Sequence, residues 1–147
     1  MIKKRDLRKK EIESKLNDIL ESISIIEENL PDNVEEFLSL GLVKEGIYKK
    51  LEFAIESILD IGNIINSDLR LGVPEAEEDI LKNLESKEIL DKGIINLIRE
   101  MKKFRNILIH KYGKIDDKKA FEEITEGLND FGKIIQAIEG FLKKHKS

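Results

Sequence analysis

The sequence predicts an all-α protein, an up-down bundle of four long helices joined by short ones. Three observations carry that prediction. Apolar residues recur every third or fourth position through most of the 147 residues, which is the period of one helix face. Aromatics make up 5% and there are only 2 Pro, whereas Ile, Leu, Lys and Glu abound, a composition that favours helix. No stretch shows the two-residue alternation of a strand, and no segment repeats.

The elements follow in order. Ile12, Leu16, Ile19, Ile23, Ile26 and Leu30 form one helical stripe, and Pro31-Asp32-Asn33 ends it, because Pro cannot continue a helix. A short helix over residues 34–40 stops at Gly41. Residues 42–65 make a long amphipathic helix through Ile47, Leu51, Ile55, Ile58 and Ile65. Residues 66–74 read as a loop, with Pro74 opening the next short helix, which carries Ile80, Leu81 and Leu84. A long helix is expected over residues 87–110, closed by Gly113. Asp116 or Asp117 caps the last helix, whose stripe runs from Ala120 to Phe141.

The length suits one domain over residues 1–147. With no Cys there is no disulfide framework, thiolate metal site or cysteine nucleophile, and two His are too few for a His-rich metal centre. No apolar run nears the ~18 residues of a membrane span, and the basic N-terminus lacks the apolar core of a secretory signal. A soluble cytoplasmic protein is the expectation. Glu122, Glu123 and Glu126 have no Glu-x-x-His partner of the kind a di-metal bundle needs. No glycine-rich phosphate loop or nucleophile elbow occurs, so no metal and no cofactor are expected.

One segment departs from this background. Residues 104–113 gather Arg105, Asn106, His110, Lys111 and Tyr112 at the end of a helix that is otherwise mostly Lys and Glu alternating with Ile and Leu. Arg105 and His110 lie five residues apart, ~7.5 Å along the axis and ~140° around it. Asn106 and His110 share a face. A guanidinium clamps phosphate bidentately, and an imidazole can move a proton near neutral pH. Such a pair can cleave RNA without a metal if the ribose 2′-hydroxyl is the nucleophile. Residues 99–119 hold eight Lys/Arg against three acids, a local +5 on a chain whose formal charge is −4. A basic island of that kind, Lys111 included as a substrate-binding residue, is a candidate RNA footprint. On spacing alone, a helix-terminal cap and surface charges are the commoner explanation of such residues.

Arg105-Asn106-x-x-x-His110-x-Tyr112 resembles the R-x(4)-H-x-Y signature of the HEPN superfamily, specifically its HepT-like toxin branch. Residues 51–65 are similar to a characteristic helix of that family, and Leu71-Gly72-Val73-Pro74 to its loop, so the likeness spans roughly residues 7–142. The resemblance implies a metal-independent endoribonuclease toxin, a homodimer whose motif helices face a shared cleft, with guanidinium and imidazole open to solvent. It implies that Arg105 stabilises the transition-state phosphate, that His110 is the general acid or base, and that Asn106 orients the phosphate or the imidazole. Tyr112 falls where a minimal nucleotidyltransferase antitoxin adds AMP to silence the toxin. Asp60 matches a recurrent aspartate with a supporting role, and Asn63 stands where relatives often carry His. Two other readings compete: a non-catalytic helical partner or substrate-binding subunit of a nucleotidyltransferase, and a bundle whose motif only stabilises a dimer.

Overall fold

The computed structural model describes residues 6–110 and 114–145. Six helices follow one another: α1 (Lys9–Asn29), α2 (Val34–Leu38), α3 (Leu42–Asp68), α4 (Glu77–Ser86), α5 (Lys92–His110) and α6 (Asp117–Lys144). Among the described residues there is no strand, as the apolar spacing predicts. No described helix is long and apolar enough to cross a membrane.

The centre of the bundle is α3, which packs against α1, α4 and α5. Its buried apolar positions are not confined to one stripe: Leu59 and Ile64 are buried on either side of the row formed by Leu51, Ile55, Ile58 and Ile65. A helix that is apolar on most sides has to be surrounded. Helix α6 closes the bundle against α5, α1 and α2. Phe37 of α2 is fully buried, its ring 5.1 Å from that of Phe121 on α6 and 5.9 Å from that of Tyr48 on α3. Gly62 lets α4 approach α3 closely, since a Cβ there would sit 3.3 Å from Leu84 Cδ1.

Four boundaries differ from the sequence expectation, each for a local reason. Helix α2 ends at Leu38 rather than Leu40, where Ser39 N closes onto Glu36 O at 3.2 Å. Helix α3 runs three residues further, to Asp68. The Asp68 carboxylate is fully buried, and Arg8 donates to it from its backbone N (3.1 Å) and from Nε (2.9 Å), so a polar residue continues the helix inward. Pro74 does not open α4, which starts at Glu77. Asp79 reaches back to accept from the backbone N of Glu75 (2.9 Å) and Ala76 (3.3 Å), fixing the entry. Helix α5 starts at Lys92 rather than near residue 87. Glu88 takes a left-handed conformation (φ 58°), and Ile89 N closes onto Leu84 O at 2.9 Å. Asp91 then caps α5 by accepting from Ile94 N at 2.9 Å. Of the two candidate caps for α6, Asp116 does the capping, from Lys119 N at 3.2 Å.

Candidate functional site

The last two turns of α5 carry the motif, and α4 lies beside them. The guanidinium of Arg105 turns to the first residue of α4. Its Nη1 donates to Glu77 Oε2 at 3.1 Å and its Nη2 to Glu77 Oε1 at 2.8 Å, a bidentate pair. Asn106 Oδ1 accepts from Nη2 at 2.9 Å and from Nε at 3.3 Å. The Arg105 side chain is only 11% exposed. The guanidinium is therefore covered by Glu77 rather than open to solvent. His110, the last residue of α5, is exposed. Lys111, Tyr112 and Gly113 lie outside the described residues.

The pair shifts both partners. The bond donated by Arg105 holds the Glu77 carboxyl below its ordinary value against the opposing effect of partial burial. The same bond raises Arg105 against its own desolvation, with Glu56 and Glu52 of α3 adding to the effect.

The basic island looks different once folded. Arg99 Nε meets Glu78 Oε1 at 2.6 Å, and Lys102 Nζ meets Glu78 Oε2 at 3.3 Å. Lys103 pairs with Glu100 on its own helix at 3.4 Å. The acidic first turn of α4 thus neutralises much of the charge that the sequence concentrates on α5. Lys114, Lys118 and Lys119 make no ion pair with another described residue.

Asp60 is on α3, with a 60% exposed side chain 3.6 Å from Lys15 Nζ. It shares with Asn63, Glu77 and Ile80 the lining of a hollow of about 190 Å³. The structure therefore sets Asp60 and the carboxylate that holds Arg105 on the same hollow. Sequence reasoning missed Glu77. Its only signal was a Glu-Glu-Asp run at the start of a short helix, which is indistinguishable from a solvated, dipole-favoured turn until the packing of α4 on α5 is known.

An all-helical bundle that ends one long helix in Arg-Asn-x-x-x-His has the fold class and the motif placement that the sequence resemblance implies. The model of the ribonuclease HepT-like family matches residues 19–138, and the chain belongs to that family. It is 24% identical over 97 residues to the mRNA nuclease HepT of Shewanella oneidensis, covering 66% of this chain and 73% of the relative. It is 27% identical over 125 residues to a candidate RNase of Archaeoglobus fulgidus, covering 85% of this chain and 93% of the relative. A solved structure of the tri-AMPylated Shewanella oneidensis HEPN toxin in complex with its MNT antitoxin superposes with a TM-score of 0.80. The identity there is 23%, over 88% of this chain and 97% of that one.

Proposed function

We propose that this chain is an endoribonuclease toxin that cleaves RNA without a metal and is silenced by AMP addition at Tyr112. The observation that carries the reading is the bidentate oxyanion contact of Arg105, at 2.8 and 3.1 Å, five residues before an exposed His110 on the same helix. A guanidinium already fitted to a pair of oxygens is suited to a phosphodiester.

In the proposed reaction the 2′-oxygen attacks the neighbouring phosphorus and the 5′-oxygen leaves, giving a 2′,3′-cyclic phosphate and a 5′-hydroxyl. Arg105 bears the charge that grows on the non-bridging oxygens. His110 moves a proton, and a second copy of the chain in a homodimer supplies a second imidazole, so that one acts as base and the other as acid. Asn106 steadies the fork, Lys111 contacts the backbone phosphates, and Asp60 supports the arrangement from α3. The partner is a minimal nucleotidyltransferase, and its AMP at Tyr112 adds negative charge that repels RNA phosphates. Family membership supports the nuclease chemistry, and the AMPylated state of the Shewanella toxin supports the mode of silencing.

The test is RNA cleavage by the purified chain in excess chelator. Full activity, cyclic-phosphate ends, and a loss of about 10²- to 10⁴-fold in His110→Ala and Arg105→Ala are expected. Activity that chelator abolishes, or variants as active as the parent, would overturn the reading. Because Arg105 also ties α5 to α4, melting is measured alongside. With the nucleotidyltransferase and ATP, mass should be gained at Tyr112 and lost as a site in Tyr112→Phe.

A further inference from the structure

The hydrogen-bonding capacity of Arg105 is almost fully committed in the free chain. A guanidinium has five N–H groups. Glu77 takes one from Nη1 and one from Nη2, and Asn106 Oδ1 is within reach of the second Nη2 hydrogen and of Nε–H. One Nη1 hydrogen is left, on a side chain that is 11% exposed. A bidentate phosphate contact needs two. A phosphodiester therefore cannot simply be added here; it has to replace an acceptor. Asn106 is a neutral amide on the adjacent residue, whereas Glu77 offers two anionic oxygens side by side to the terminal nitrogens.

We propose that Glu77 is a positioning residue that occupies the substrate phosphate's place on Arg105 and is exchanged for that phosphate when RNA binds. The inference rests on Arg105 being the phosphate-binding group. The exchange is one oxyanion for another, so the guanidinium is never left bare, and its side chain is held ready before substrate arrives. Glu77 is suited to leave: its side chain is 45% exposed, so its carboxylate is partly hydrated already. The 190 Å³ hollow gives it room beside Asn63. Lys102, whose charge already acts on Glu77, lies one turn back on α5 and receives the released carboxylate.

The exchange is tested on the full chain with a fluorescent single-stranded oligoribonucleotide, 2′-O-methylated throughout so that it binds without being cut. In Glu77→Gln the competing charge is gone and the side-chain shape is kept. Binding should tighten about twofold to fivefold, the size of one partly exposed ion pair. On a cleavable oligonucleotide the same variant should lower KM by the same factor. In an Arg105→Gln background the gain from Glu77→Gln should vanish, which separates displacement from a general loss of negative charge. Unchanged or weaker binding by a Glu77→Gln chain that melts like the parent overturns the inference, as does a gain that persists without Arg105. A parent chain that neither binds nor cuts RNA overturns the ribonuclease reading and this inference together. A parent that cuts through Arg105 but is indifferent to Glu77 overturns the inference alone.

Discussion

Asn106 turns its side-chain oxygen back onto the residue before it, accepting from Arg105 Nη2 at 2.9 Å and Nε at 3.3 Å. Consecutive residues on a helix point about 100° apart and ordinarily do not meet. The contact forms because the long Arg105 side chain curls across the helix surface to reach Glu77 and passes Asn106 on the way. Asn106 thereby restricts the guanidinium to one orientation.

Replacing Asn106 by Ala should lower kcat about tenfold, the scale of one hydrogen bond to a charged group. Melting should stay within about 2 °C, since Asn106 is exposed. Steady-state kinetics and a thermal melt on the same preparation check both. A fall in melting temperature that accounts for the activity loss would count against the positioning role.

A second cluster ties the start of α6 to the start of α3. Tyr48 O–H donates to Asp117 Oδ1 at 2.6 Å, and Lys44 Nζ donates to Asp117 Oδ2 at 2.8 Å. Partial burial works to raise the Asp117 carboxyl, but the bonds from Lys44 and Tyr48 outweigh it and hold the group below its ordinary value. Burial first, and then the bond to Asp117, push the Tyr48 phenol well above its own. Tyr48→Phe should destabilise the chain by about 1–2 kcal/mol, because Asp117 loses a charge-assisted bond.

These shifts set the pH response. Glu77, Glu78 and Asp117 all have folded-state pKa values below those of the unfolded chain. Their contribution is present above the unfolded carboxylate range, near pH 4, and is lost as pH falls through the lower folded values. The raised Tyr48 works in the opposite sense: its contribution is complete below about pH 10 and is lost as pH rises through the folded value. Melting temperature should therefore be flat through neutrality and drop on both sides. Asp117→Asn should soften the acid limb, and Tyr48→Phe the alkaline one. An acid limb unchanged in Asp117→Asn would contradict the assignment.

Gly72 sits at φ 153°, and a Cβ there would lie 2.9 Å from Asn83 Nδ2. Asn83 Nδ2 donates to Asn66 Oδ1 at 3.0 Å, while Asn66 Nδ2 donates to Gly72 O at 2.8 Å, so the loop between α3 and α4 is laced from both sides. Gly72→Ala should cost about 1–3 kcal/mol through the backbone conformation and the displaced amide. Chemical denaturation with an unchanged slope would show that the loss lies in the native state.

The existence and order of all six helices were legible because burial is written as apolar spacing: Ile12 to Ile26 and Ile124 to Ile138 are buried where the period puts them. Ends were legible where a breaker marks them, as at Pro31; Gly41 instead precedes the first residue of α3, and α2 stops three residues before it. The turn at Glu88 was not legible, because a glutamate takes a left-handed conformation there and no glycine announces it. Leu90, buried at 5% exposure, prolonged the apolar pattern of α5 backwards although it precedes the helix. Arg105, Asn106 and His110 stood out as a polar cluster at the end of their helix, but the partner of Arg105 did not. Glu77 is 28 residues away, and only the packing of α4 on α5 brings them together. The basic island misled for the same reason, since the sum along the chain omits the carboxylates that folding sets opposite.

That opposition has a consequence for how a polyanion arrives. Beyond a screening distance of about 8 Å in physiological salt, Arg99, Lys102 and Arg105 each merge with a nearby carboxylate into a weak dipole. A drifting strand feels little pull from this wall until it touches it. Under the proposed exchange, its rate of capture at this wall is that of ordinary collision, and discrimination is left to the moment of contact, when one anion gives way to another.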